Sequence, residues 1–166
     1  GGIGKVLAEW IRDGHAPMDL WEVDIRRNIP FQTNRRYLHD RVKETLGLLY
    51  ATHWPNHQNE SARGVRRSPF YDRLVEKGAC HGVGFGWERP NWYAPDGSAP
   101  KYEYSFRRQN WFDFSASEHM SVREDVGLMD MTTFAKYRVQ GTDAEAVLNR
   151  ICSNNVAVTP GRIVYS

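Results

Sequence analysis

The sequence predicts an α+β fold, with a central unit of mixed helix and strand and helical segments on either side of it. Three observations lead there. Apolar residues recur at helix spacing near the start, in the middle and toward the end. Between them, residues 79–93 alternate and are rich in glycine and aromatic residues, as strands are. Capping residues and Gly or Pro breakers stand where those patterns begin and stop.

The elements follow in order. Gly1-Gly2-Ile3-Gly4 leads into a helix through residue 11, with Leu7, Trp10 and Ile11 on one face. Gly14 suits a left-handed C-terminal cap, and Pro17 prevents continuation. A glycine turn at a helix start leaves bare backbone N–H groups under the positive end of the dipole, open to a ligand; it equally suits a close-packed turn. Asn34 caps a helix over 35–49 with Leu38, Val42, Leu46 and Leu49 on one face. Residues 52–67 are polar, carry Pro55 and read as a loop. Ser68 and Pro69 open a helix that carries Phe70, Leu74 and Val75 and ends at Gly78. In the strand segment 79–93, Gly82, Gly84 and Gly86 are expected to make room for large rings on neighbouring strands.

Pro95-Asp96-Gly97 signals a turn, and 101–106 reads as another strand. Ser115 and Glu118 form a capping box that opens a helix through Met120, Val122 and Val126 toward Leu128. Residues 134–139 read as a strand with Gln140-Gly141 as its turn. Thr142 and Glu145 form a second capping box, for a helix through Val147, Leu148 and Ile151, and 162–165 reads as a strand. That tail is the strand–helix–strand opening of an α+β domain.

Composition narrows the function classes. Of 166 residues, 40% are hydrophobic and 25% charged, ordinary for a folded chain and against global disorder. The net charge of +2 is too weak for sequence-independent nucleic-acid binding. No apolar run approaches the roughly 20 residues of a membrane-spanning helix. Cys80 and Cys152 are too few for a disulfide scaffold, so the expected compartment is reducing: the cytoplasm, or a mitochondrial matrix in a eukaryote. Arginines sit beside many of the aromatic residues, which predicts Arg stems lying across packed rings. The alternative is a stacking surface for bases built on Arg63, Arg66, Arg67, Arg107 and Arg108, and the weak charge argues against it.

Chemical motifs are sparse. His53 and His57 are four apart, but Pro55 lies between them and no Glu completes a metalloprotease pattern; no metal site is expected. Neither cysteine has a signature of activation, and no Gly-x-Ser-x-Gly or Walker loop occurs. Glu118-His119 offers an acid/base pair, though a solvated helix terminus explains it as well. From these residues alone, catalytic residues remain unknown.

Several stretches together carry a resemblance. Gly1-Gly-Ile-Gly-Lys-Val-Leu-Ala-Glu-Trp-Ile11 is similar to the last helix of the flavin domain of dimethylglycine and sarcosine dehydrogenases, and Asp19-Leu-Trp-Glu-Val-Asp-Ile-Arg-Arg27 to the segment that leaves it. Ala62-Arg-Gly-Val-Arg-Arg-Ser-Pro69, Gly86-Trp-Glu-Arg-Pro-Asn-Trp-Tyr93 and Arg107-Arg-Gln-Asn-Trp-Phe112 resemble the central domain. Glu118-His119, and Asp130-Met-Thr-Thr-Phe-Ala-Lys-Tyr-Arg-Val-Gln-Gly141, resemble the opening of the aminomethyltransferase-like folate domain. The resemblance implies three parts: 1–18 the end of a flavin-binding domain, 19–113 a central oxidoreductase domain, and 114–166 the start of a folate-binding domain.

It also implies FAD and tetrahydrofolate as cofactors of a longer parent enzyme, and a small N-methylated amine as substrate. The flavin would oxidise the amine to an iminium, and tetrahydrofolate would capture the one-carbon unit. Gly1, Gly2 and Gly4 match the family's turn under the flavin ring, and Phe134 and Tyr165 fall where relatives line the pterin pocket. Many relatives have Met where Phe134 stands. The dinucleotide-binding turn and the amine site would precede Gly1, and the folate-anchoring acid would follow Ser166. The chain by itself is therefore expected to be inactive and to bind neither cofactor tightly. A non-catalytic scaffold or linker module is the alternative reading.

Overall fold

The computed structural model describes residues 2–95 and 97–166, apart from the side chain of Glu22. The described residues form two compact units, 1–130 and 131–166.

The first unit opens with α1 (Gly2–Asp13). Its C-terminal stop is the expected one: Gly14 has φ +74 and donates its N–H to Trp10 O at 2.9 Å. Three short 3-10 turns follow, Trp21–Val23, Ile25–Arg27 and Pro30–Thr33. Asp24 caps the second, accepting from Arg26 N, and also pairs with the Arg26 guanidinium at 2.5 Å. α2 (Arg35–Leu48) begins where the sequence predicts, with Asn34 Oδ1 accepting from Arg36 N and Tyr37 N. α3 (Tyr71–Glu76) is shorter than predicted, because residues 68–70 form a turn in which Ser68 Oγ accepts from Phe70 N at 3.2 Å.

The sheet is an antiparallel hairpin of β1 (Ala79–Gly84) and β2 (Trp87–Tyr93). Phe85 and Gly86 form its tip with φ +49 and +77, the two positive values that a two-residue type I′ turn requires. The register slips between Cys80, which pairs with Trp92, and His81, which pairs with Pro90. Asn91 is thus the extra residue of a bulge, and the bulge accommodates Pro90, which cannot donate to a ladder. The glycines make room for different neighbours from those expected. A Cβ at Gly82 would overlap Asn91 Nδ2 and Gln58 Oε1, and one at Gly86 would overlap the Phe31 ring, which comes from a 3-10 turn and not from a strand.

The core is small and lies on one face of the hairpin. Trp92 is 2% exposed, stacks on Phe114 at 5.8 Å and meets the Tyr102 ring edge at 6.4 Å. Cys80, Ala94 and Trp111 complete it. Phe114 belongs to α4 (Phe112–Glu124), which starts before the Ser115–Glu118 capping box predicted for it. Ser115 N donates to Trp111 O inside the helix, while Glu118 Oε1 accepts from Tyr93 N at 2.9 Å and ties α4 to β2. The helix ends at Glu124, so Val126 and Leu128 stand outside it, fully exposed or nearly so.

Residues 101–106 form no strand among the described residues. Side chains take the place of a ladder: Glu103 N donates to Asn110 Oδ1, and Asn110 Nδ2 donates to Lys101 O. The segment is still extended enough for Tyr102 and Tyr104, two apart, to stack at 5.7 Å. The predicted turn at Pro95-Asp96-Gly97 includes Asp96, which is outside the described residues; Ser98 N donates to Pro95 O at 3.0 Å.

In the second unit only the helix of the predicted strand–helix–strand is regular. It is α5 (Ala144–Ile151), without a side-chain cap bond, so the Thr142–Glu145 box is not formed. Segments 134–139 and 162–165 pair with no strand among the described residues. The second is held instead by side chains: Asn154 Nδ2 donates to Tyr165 O at 2.5 Å, and Ser166 Oγ accepts from Ser153 N at 2.7 Å. Strand-forming residues become a sheet only where a partner backbone is in reach. The chain is α+β at the level of mixed helix and strand, with a two-stranded sheet.

Candidate functional site

Gly2 and Gly4 lie in the first turn of α1, exposed, and a Cβ on either would meet nothing within 4 Å. The first N–H groups of a helix lack intrahelical acceptors, so this turn offers donors with no side chain in front of them. Gly1 is outside the described residues. Phe134 is 50% exposed and Tyr165 is 88% exposed, both in the unit 131–166. Gly2 and Gly4 are thus in one unit, and the two aromatic residues are in the other.

The best-built polar centre was not anticipated from the sequence. Glu88, 3% exposed on β2, accepts from Arg63 Nε at 3.0 Å, Arg63 Nη2 at 2.5 Å and Gly64 N at 2.5 Å. Arg63 Nη2 also donates to His81 O at 2.9 Å. Gly64 at φ +72, and Ala62 at φ +47, bend the loop around the carboxylate. Burial alone would raise the Glu88 carboxyl, but the bonds from Arg63 and Gly64 outweigh it and hold the group below its ordinary value. The available signal was weak: Glu88 is buried in β2 as Trp92 is, but the bulge at Asn91 breaks the alternation between them.

Next to it, burial pushes the Cys80 thiol up to about 11, so it stays protonated and is a poor nucleophile. Burial also lowers His81, against the pull of Glu88, and leaves the imidazole neutral. His81 packs on Tyr71 with ring centres 4.6 Å apart. A second clamp joins α2 to the following loop: Glu44 accepts from Glu60 N at 2.6 Å, from Ser61 N at 3.1 Å and from Ser61 Oγ. Arg63, Glu88 and Glu44 hold loop, helix and hairpin together, while His81 Nε2 is buried without a hydrogen-bond partner.

The other candidates from the sequence have structural roles. His119 Nδ1 lies 2.6 Å from Ser115 O, and Glu118 is the tie to β2. His53 Nε2 lies 3.1 Å from Leu48 O, and His57 stacks on Tyr104. Arg66, Arg67 and Arg108 lie over the rings of Trp87, Tyr71 and Phe112 at 4.2 to 4.5 Å, as the sequence pattern predicts. Among the described residues, no group of three or more His, Cys, Asp or Glu could hold a metal ion. No described helix is long and apolar enough to cross a membrane.

Comparison with known proteins finds two families in succession along the chain. Residues 13–68 match the family described as FAD dependent oxidoreductase central domain, and residues 70–166 match the GCVT N-terminal domain. The chain is 48% identical, over 99% of its length, to a 4-methylaminobutanoate oxidase (formaldehyde-forming) of Paenarthrobacter nicotinovorans. It is 35% identical over its whole length to the mitochondrial pyruvate dehydrogenase phosphatase regulatory subunit of Mus musculus. It is 34% identical over 93% of its length to the mitochondrial dimethylglycine dehydrogenase of Homo sapiens. The chain spans about one fifth of the length of these curated relatives.

Proposed function

Because the chain belongs to the GCVT N-terminal domain family, we propose that it serves within a flavin-dependent enzyme that oxidises small N-methylated amines. The observation that carries this is the 48% identity over nearly the whole chain to a methylaminobutanoate oxidase. The similarity to dimethylglycine and sarcosine dehydrogenases supports the same class. In this reading 1–18 closes a flavin-binding domain, 19–113 is the central domain and 114–166 opens a folate-binding domain. The cofactors are FAD and tetrahydrofolate, and a eukaryotic parent would work in the mitochondrial matrix; the names of these relatives say mitochondrial.

The fit of this chain to the two cofactors is unequal. The first turn of α1 has the right chemistry for an electron-rich ring: unsatisfied N–H donors, no side chain, and the positive end of a helix dipole. Gly2 and Gly4, with Gly1, would hold the flavin there by backbone donation. Phe134, half exposed, and Tyr165, largely exposed, supply a flat apolar surface and a phenol, as a pterin requires. When bound, the flavin supplies the redox chemistry. The chain's own contribution is to carry the two binding edges on one polypeptide; the Arg63–Glu88 and Glu118–Tyr93 ties hold the unit 1–130 together.

The deciding experiment is to read the encoding DNA on both sides of this segment. An upstream strand with Gly-x-Gly-x-x-Gly and a downstream continuation of the GCVT domain are expected. A start codon just before Gly1 and a stop just after Ser166 would overturn the catalytic reading. A second reading has its own support, since the similarity to a phosphatase regulatory subunit runs the full length of the chain. A non-catalytic module would use the same fold to position partners. Turnover of dimethylglycine or sarcosine by the longer polypeptide separates the two.

A further inference from the structure

We propose that the cleft between α2, the 3-10 turns before it and the hairpin tip binds a small carboxylate with a flat apolar body, anchored by Arg41. The cleft has a volume of about 920 Å³, in the range of small-molecule sites. Trp21, Tyr37 and Phe85 line it with rings, and Leu38 and Val42 add aliphatic surface. Its charged lining is Arg27 and Arg41; no Asp or Glu is among the described residues that line it.

Arg41 is the informative side chain. It is only 13% exposed, yet its nearest anion, Glu44, is 3.4 Å away, long for a charge-assisted bond of this kind. Glu44 is already occupied by two backbone N–H groups and the Ser61 hydroxyl. The Arg41 Nε is closed off from solvent and has no hydrogen-bond partner. Tyr37 offers only its ring face, 5.5 Å from the guanidinium carbon. A guanidinium does not shed its proton, so this charge cannot be neutralised from within. A nearly enclosed cation that is half compensated favours an anion beside it.

The class of anion follows from shape. With Nε closed off, a carboxylate would accept from the Nη groups of the planar guanidinium, which it matches better than a spherical ion does. The three rings favour a flat body behind the carboxylate, which they would cover with little loss of side-chain entropy. The proposal does not depend on the amine-oxidising reading, because it requires neither flavin nor an amine.

The test uses the full chain with benzoate as probe and benzyl alcohol as its uncharged counterpart, followed by NMR. Benzoate should shift the Arg41 Nε–H and Phe85 N–H signals saturably, with half-saturation on the order of millimolar. Benzyl alcohol should not do so at the same concentration. Arg41→Gln should weaken the benzoate response by roughly tenfold or more, while Arg36→Gln, on the same helix and away from this cleft, should leave it unchanged. Equal responses to both probes would reduce the cleft to an apolar surface and overturn the proposal. So would a linear shift that sodium chloride reproduces, or no shift at all. If Arg41→Gln does not fold, the contrast between the two probes on the unaltered chain decides.

Discussion

Glu88 shows how much a single position can carry. Its carboxylate is 1% exposed and receives the Arg63 guanidinium and the Gly64 N–H together. Removing Glu88 takes the acceptor from the Gly64 N–H and from the Arg63 guanidinium, which is 32% exposed, and costs on the order of 2 kcal/mol. Glu88→Ala should therefore lower the urea midpoint far more than Glu103→Ala, whose exposed pair with Lys101 is worth little. pH acts on the same cluster. Burial lowers His81 below its ordinary 6.5, so below that pH the unfolded chain takes a proton that the folded chain refuses. Stability contributed by the neutral ring is present above 6.5 and is lost as pH falls through the folded value. Glu44 and Glu88, both held below 4.5, add a second loss at lower pH. Urea midpoints should fall between about pH 7 and 5, and His81→Phe should flatten that part of the profile.

Among the elements, the clearest outcomes are at caps and turns. Asn34 satisfies two N–H groups of α2, and Asn34→Ala should cost about 1 kcal/mol, read from thermal or urea unfolding. At the hairpin tip, Phe85 holds a left-handed conformation at φ +49 that a bulky residue adopts at a cost, and its ring is 62% exposed. Phe85→Asn creates the Asn-Gly pair that type I′ turns favour and should stabilise the hairpin by roughly 0.5–1 kcal/mol. Caps and stops such as Asn34 and Gly14 were legible in the sequence because their chemistry is local: one side chain or one φ value is enough. The Ser115–Glu118 box was not, because Glu118 found a stronger use on β2, a partner twenty-five residues away. The same applies to 101–106, where Asn110 replaces a ladder strand.

Over the whole molecule, regular structure and burial concentrate around the hairpin. Among the described residues, the buried apolar ones are Ala79, Cys80, Trp92 and Ala94, all on or beside the two strands. In the unit 131–166, α5 buries no residue, and much of the apolar surface is open, including Tyr137, Ile151, Ile163 and Tyr165. Amide hydrogen exchange should therefore be slowest at β1, β2 and the α4 turn that carries Phe114, and fast throughout 131–166. Protection of α5 equal to that of the hairpin would contradict this. Exposed apolar stripes such as Ile3, Leu7 and Ile11 on α1 should also make the chain self-associate as its concentration rises, measurable by sedimentation.

By itself the sequence determined what is set within a turn or two of chain: the helices α1, α2 and α5, the Gly14 stop of α1, the loop at 52–67, the Arg-over-ring packing and the ordered motifs that mark the family. Short-range spacing is enough for these, because capping, helix periodicity and glycine φ values depend on near neighbours. Only the tertiary structure decided which β-prone segments became strands. Residues 79–84 and 87–93 found each other across a two-residue turn, while 134–139 and 162–165 had no strand partner among the described residues. It also decided that Glu88 and Arg63, far apart in the chain, would be one buried pair and that Arg41 would be left short of an anion. Ladder bonds and buried charge pairs depend on distances in space, and a one-dimensional pattern does not contain those distances.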